Sequence, residues 1–259
     1  MIKDRNLYVE QMNNSISEKL NFFSSAPHTD AYIDFGCAEG ELLRRLSANG
    51  VGSVHIGYDK CKKMIKAAQQ NHDNKNISFY EDLDKVYVDS HRIRNSGKTS
   101  TLIFSSVFHE IFHYCDAQEL HKLFSSILSL PCDRIMIRDM VDDSLLNYDA
   151  DKSTIQSIRK NAPINLLYDF EKLWGKIKTQ KQLLHFLLKY KYENNWDYEN
   201  KENYFSFLEK RLTRWLENSY KLTINVSYIP EFIQKSIMDD YGIEINDFTH
   251  KLLIYEKTQ

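Results

Sequence analysis

From residue 30 to residue 140 the chain alternates short β-rich runs with helical stretches, the pattern that successive βαβ units need to build a parallel sheet. Strands are predicted at 31–35, 54–58, 77–80, 101–105 and 134–139, and helices at 41–47, 62–70 and 117–128. The last helix carries a start signal. Asp116 followed three residues later by Glu119 reads as a capping box, and Leu120, Phe124 and Ile127 then share one face. Ahead of the first strand, Leu7, Val9, Met12, Ile16, Leu20 and Phe23 recur at helical spacing and predict an opening helix.

Beyond Asp139 the texture changes. Residues 141–227 read as long helical patterns rich in aromatics and lysines, a helical insertion after the fifth strand. Its first part, 151–192, is basic, with nine Lys/Arg against three acids, while 193–209 carries five acids against Lys201 alone. Pairing between these halves, or a solvated face, is the ordinary expectation for such charges. Most of its aromatics, among them Trp174, Phe186, Tyr190, Trp196 and Tyr204, are expected to form its core. A helix at 230–240 opening on Pro230 follows, and 241–245 and 251–255, joined by Asn246-Asp247, are predicted to close the sheet as a pair. The expected organisation is therefore a core of 1–140 plus 228–259, with 141–227 as an inserted helical subdomain.

Composition excludes several classes. The hydrophobic fraction of 42% over 259 residues suits a globular chain with a real core. No run approaches the ~18 consecutive apolar residues of a membrane span, and the first residues carry no signal-peptide core, so a cytoplasmic chain with no membrane contact is expected. Cys37, Cys61, Cys115 and Cys132 form no C-x-x-C pair and read as free thiols. A net charge of −2 removes the global electrostatic argument for nucleic-acid binding and leaves only a local basic face.

The chemistry concentrates at strand ends. In Asp34-Phe35-Gly36-Cys37-Ala38-Glu39-Gly40, Gly36 and Gly40 sit where a strand must turn into a helix and expose backbone N–H groups to a ligand. Asp59 ends the next strand 19 residues beyond Gly40, with Lys60 beside it, where a carboxylate can accept both hydroxyls of a ribose. Nicotinamide binding would want G-x-G-x-x-G, but positions 38 and 41 are Ala38 and Glu41.

This constellation resembles the first motif of class I S-adenosylmethionine (SAM)-dependent methyltransferases, in which the loop and an upstream acid hold the amino acid end of the cofactor. The resemblance covers 30–140 and 228–259. It implies an α/β fold, a Rossmann-like doubly wound, mostly parallel sheet with an antiparallel closing strand. It implies a cofactor site of Asp34, Gly36, Cys37, Ala38, Gly40, Asp59 and Lys60, with Asp82 and Leu83 near the adenine and Ser105 and Ser106 near the methyl group. Ala38 replaces the family's middle glycine, and the Asn/Asp-Pro-Pro-aromatic motif of enzymes acting on exocyclic base amines is missing.

His109 and Glu110, next to the methyl position, and Asp139, at the end of the fifth strand, are the candidate catalytic residues for an acceptor that must lose a proton. The acceptor reads equally as RNA, contacted by Lys176, Lys178, Lys181, Lys189 and Lys191, or as a small molecule under the helical roof. Two other functions stay open. His109-Glu110-Ile111-Phe112-His113 spells the H-E-x-x-H of zinc hydrolases, although Asp116 starts a helix so soon after it that a loop is expected there. A non-catalytic cofactor-binding module is the other.

Overall fold

The computed structural model describes residues 16–71, 74–142 and 146–258. Helix α1 (Ile16–Ser25) supplies the end of the predicted opening helix; Leu7, Val9 and Met12 lie outside the described residues. Four βα steps and a fifth strand follow: β1 (Ala31–Phe35), α2 (Glu41–Ala48), β2 (Val54–Tyr58), α3 (Lys62–Gln70), β3 (Ile77–Tyr80), α4 (Leu83–Asn95), β4 (Ser100–Ser105), α5 (Phe108–Tyr114), α6 (Ala117–Ser129) and β5 (Arg134–Met140). Next come α7 (Lys152–Asn161), α8 (Ile164–Trp174), α9 (Gln180–Leu187), α10 (Trp196–Glu199) and α11 (Glu209–Leu216), then β6 (Tyr220–Tyr228), α12 (Glu231–Tyr241) and β7 (His250–Lys257). Among the described residues no helix is long and apolar enough to cross a membrane.

The seven strands form one sheet in the order β3-β2-β1-β4-β5-β7-β6, with β1 to β5 parallel and β7 antiparallel to both β5 and β6. Period-two alternation divides the two faces. Ala31, Ile33, Phe35, Leu102, Phe104, Ile135 and Ile137 pack with Phe108, Phe124, Leu212 and Leu216 on one side. Tyr32, Ile103, Met136 and Ile254 pack with Phe23, Leu43, Leu46 and Ile65 on the other. Both faces of the parallel strands are covered, so these strands read as continuous apolar runs. The capping box of α6 forms: Asp116 accepts from the Gln118 and Glu119 N–H groups, and Glu119 accepts from Asp116 N–H. Leu120, Phe124 and Ile127 are its buried face, and each such side chain contributes roughly 1.5–3 kcal/mol by leaving water.

Three expectations are corrected. The partner of β7 is β6, and 241–245 carries no strand: Gly242, at φ +64, caps the end of α12, and Ile243 and Ile245 pack into the helical cluster instead. Strand β6 therefore lies inside the stretch read as wholly helical. The boundaries also move, because Leu212 and Leu216 of α11 pack on the sheet, whereas Ile237 and Tyr241 of α12 join the apolar cluster of Leu166, Phe170, Leu184 and Phe186. Finally, the H-E-x-x-H stretch is a helix, α5, and not a loop.

Candidate active site

The neighbours of β1 are β2 on one side and β4 on the other, so the strand order reverses between β1 and β4. Loops leaving adjacent strands there diverge to opposite faces and open a crevice at the carboxyl ends. The turn 36–40 after β1 and the segment 105–109 after β4 stand at that point, with Asp59 one strand away.

The turn is closed by its own backbone. Gly36 and Cys37 N–H groups both donate to the Tyr58 carbonyl (2.8 and 3.0 Å), and Gly40 N–H donates to Cys37 O (2.8 Å). Ala38 N–H donates to Asp59 Oδ2 (2.9 Å). The expectation that these amides are offered to a ligand is thus corrected at four positions. The glycines serve close approach: with φ of +83 and +78, a Cβ on Gly36 would stand 2.8 Å from Val107 Cγ2, and one on Gly40 would stand 2.2 Å from the Phe79 ring. Ala38 holds φ +47 without being glycine, a strained conformation of the kind that collects at functional sites.

Asp59 ties the turn to the start of α3, its other oxygen accepting from Cys61 N–H at 2.8 Å. A carboxylate has about four lone-pair directions, so each oxygen retains one for a ligand hydroxyl. Asp34 is buried in β1, and desolvation pushes its carboxyl up to about 7, against the pull of the Lys19 ammonium and with the push of Asp59. Cys37 is buried, and burial drives its thiol well above the ordinary range. Lys60 is exposed, as is Asp82, which caps α4 by accepting from Asp84 N–H at 3.0 Å, while Leu83 packs against the sheet core. Ser105 Oγ is buried with no partner, the kind of orphan a ligand satisfies. Ser106 stands at φ +57 and accepts from Arg138 Nη1 at 2.9 Å.

At the far end of the crevice, Asp139 organises the entry to α5. Val107, the residue before this helix, caps nothing with its side chain; instead Asp139 Oδ2 accepts from Phe108 and His109 N–H (2.6 and 3.2 Å), and Oδ1 meets His109 Nδ1 at 2.7 Å. The other ring nitrogen, Nε2, faces Glu202 Oε2 at 3.8 Å. Burial alone would lower the His109 pKa, but Asp139 and Glu202 together raise it well above the usual value. Glu110 is pushed up to about 7 by desolvation and by Glu202, with His109 and Lys60 pulling the other way. Glu199, 3% exposed and bonded by the Tyr204 hydroxyl, is likewise pushed up to about 7 by burial and by Glu202. These groups line a cavity of about 100 Å³ that also touches Lys19, Ser106 and Arg138.

Comparisons with known proteins bear on the fold. A chain of the Haloferax volcanii complex between the Trm112 methyltransferase activator and a methyltransferase is similar over 100% of this chain and 98% of its own, at 11% identity and a TM-score of 0.53. A SAM-dependent methyltransferase from Archaeoglobus fulgidus matches 98% of this chain and 100% of its own, at 12% identity and a TM-score of 0.52. One from Anabaena variabilis matches 94% and 84%, at 13% and 0.51. The chain has the class I SAM-dependent methyltransferase fold. No family model matches the sequence, and no curated protein matches it.

On this methyltransferase fold the sequence-predicted residues divide into two groups. The turn 36–40 and Ser105 and Ser106 stand where the strand order reverses, with Asp59 bonded to that turn; Asp34 is buried within β1, Lys60 is exposed, Leu83 packs on the core and Asp82 caps α4. His109 and Glu110 meet at the cavity with Asp139 behind the His109 ring, and the cavity walls also include Glu199, Glu202 and Lys19, which sequence reasoning did not assign to a site. Glu199 and Glu202 read as surface charges, yet both are buried. Lys189 read as a phosphate contact, yet it is fully buried, bonded to the Glu202 carbonyl and held over the Tyr204 and Trp174 rings at 4.8 and 5.1 Å. Lys181 pairs with Asp142 at 2.7 Å, and Lys191 pairs with Asp240. The signal available was the i, i+3 spacing of Glu199 and Glu202 within an aromatic-rich stretch.

Proposed function

We propose that this chain is a SAM-dependent methyltransferase acting on a small molecule, with the region from α7 to α10 as its acceptor-recognition subdomain. The observation that carries this reading is the convergence of the 36–40 turn, Asp59 and the 105–109 segment on the one crevice where the sheet order reverses. Asp59 holds the ribose hydroxyls, and Asp34, through Lys19, governs the charge at the amino acid end. Leu83 and Asp82 border the adenine, and Ser105 Oγ finds its missing partner. Bound there, the cofactor supplies an electrophilic methyl group on a sulfonium that leaves as a neutral thioether.

The protein's part is alignment and proton management. His109 and Glu110 line the acceptor cavity; Glu110, with its carboxyl pushed up to about 7, takes the proton the acceptor loses, while His109, held protonated and positioned by Asp139, faces the acceptor as a hydrogen-bond donor. A cavity walled by Glu110, Glu199 and Glu202 repels phosphate, and three of the five lysines named for RNA are engaged within the fold. Both observations favour a small acceptor over RNA. Four free cysteines support a reducing, cytoplasmic setting.

Calorimetry tests the cofactor: Asp59→Ala should weaken SAM binding by about 1.5–3 kcal/mol, the value of hydrogen bonds to a charged group. Incubation with radiolabelled cofactor and separate RNA, protein and metabolite fractions tests the acceptor. Label is expected in the metabolite fraction. Label in RNA would overturn the acceptor class, and SAM binding with no label anywhere would favour a non-catalytic module.

A further inference from the structure

The H-E-x-x-H spelling suggested a metal, but not the one the geometry supports. Among the described residues the close set of ligand atoms is that of His109, Glu110 and Glu202, all within 4.8 Å of one another. His113 is outside it and is engaged with the Lys201 backbone. We propose that His109 Nε2, Glu110 and Glu202 form a binding site for a hard divalent cation of the manganous type at the floor of the acceptor cavity. The site deepens the methyltransferase reading by its position but does not depend on cofactor binding.

Three observations independent of the acidic clustering support it. First, the His109 ring is oriented from behind, its Nδ1 on Asp139 Oδ1 at 2.7 Å. With the Nδ1 proton assigned to that bond, the Nε2 lone pair is turned toward Glu202, the carboxylate–histidine–metal arrangement. Second, Glu202 is 3% exposed and its Oε1 has no partner. A buried carboxylate oxygen left unpaired is costly, and a cation at the cavity floor removes that cost. Third, the cavity itself leaves room on one side of the three ligands for water or an acceptor atom. The cations Lys19 and Arg138 line the same cavity and act on Asp34 and Ser106.

The distances fit with a small contraction. Bonds of about 2.0–2.2 Å place adjacent ligand atoms roughly 3 Å apart and opposite ones about 4.3 Å apart, so the set must close by about half an ångström between opposite ligands and by roughly an ångström between adjacent ones. Two carboxylates and one imidazole with open positions suit a six-coordinate oxygen-preferring ion better than a closed tetrahedral zinc. Ion and proton compete for the same lone pairs, so in the loaded protein the ion stabilises the acceptor and the leaving proton passes to water.

The test is titration of chelator-stripped protein with manganous chloride, followed by loss of the free-ion electron paramagnetic resonance signal. One ion per chain is expected. Glu202→Gln and His109→Ala should each lower affinity at least tenfold, and Asp139→Asn roughly 10–100-fold through the ring orientation, with thermal melting confirming that each variant is folded. No signal loss at millimolar ion, or equal affinity in Glu202→Gln, overturns the site. So does stoichiometric zinc that displaces manganese and is lost in His113→Ala. SAM calorimetry on the same samples separates the two readings: cofactor binding without manganese binding removes only the metal site, and the reverse removes only the transferase.

Discussion

The two ends of the crevice hold their acids in opposite ways. At the glycine turn, Asp59 is half-exposed and both its oxygens accept backbone N–H groups, so its charge is matched by the chain that surrounds it. At the cavity, Glu199 and Glu202 are buried beside a partly buried Glu110, and Glu110 and Glu199 are pushed up to about 7. The difference teaches that the turn is a scaffold whose polar groups are already satisfied, while the acceptor wall is under electrostatic tension that a proton, a cation or a substrate relieves.

The widest separation between the two ends should come from Asp139. Asp139→Ala leaves the N–H groups of Phe108 and His109 unpaired and strips the His109 ring of the nearer of its two carboxylates, and breaking such a buried pair costs about 3–5 kcal/mol. Urea denaturation checks it, and a loss under 1 kcal/mol would mean the wall does not depend on this residue. Next is Gly40→Ala, which forces a left-handed φ on a side chain and drives Cβ into Phe79; roughly 2–4 kcal/mol should be lost. A near-neutral result would show that the turn is looser than the acceptor end.

A smaller effect sharpens the electrostatic contrast. Glu199 has a folded pKa near 7, above its unfolded value of 4.5. The folded state therefore binds the extra proton between these values, and the contribution of this group to stability is present below about pH 4.5 and lost as pH rises through 7. Relative to the wild type, Glu199→Gln should gain about 2 kcal/mol of stability between pH 5.5 and pH 8. A difference independent of pH would remove the tension. The smallest change is expected at the turn side: because Asn caps helices as well as Asp, Asp82→Asn should alter stability by only a few tenths of a kcal/mol. Any fall in SAM affinity then isolates contact with the adenine. A loss above 1 kcal/mol in melting would instead mean that the carboxylate charge itself supports α4.

Much of the molecule was readable from local pattern. Strands β1 to β5 and helices α2, α3 and α6 lie where apolar periodicity and the Asp116 capping box put them. Strand β6 was missed even though Lys221-Leu-Thr-Ile-Asn-Val-Ser227 alternates polar and apolar residues without a break, because the run was absorbed into the helical reading of the stretch before it. The segment 241–245 alternates just as well but spends Ile243 and Ile245 on the helical cluster. Helix α5 was misread because its start is capped by Asp139, 31 residues away from Phe108, rather than by a residue beside it.

What the linear order of residues determined by itself was the βα repeat, its glycine turn and the acid at the end of the second strand, because each depends on neighbours within one or two elements. Only the tertiary structure decided which charges leave water. Glu199, Glu202 and Lys189 look like surface residues by type and spacing, yet all three are buried: the two glutamates wall a cavity together with Arg138 and Met140 of β5, and Lys189 is bonded behind them to the Glu202 carbonyl. Desolvation is set by everything packed around a group, and no stretch of sequence around a glutamate carries that information.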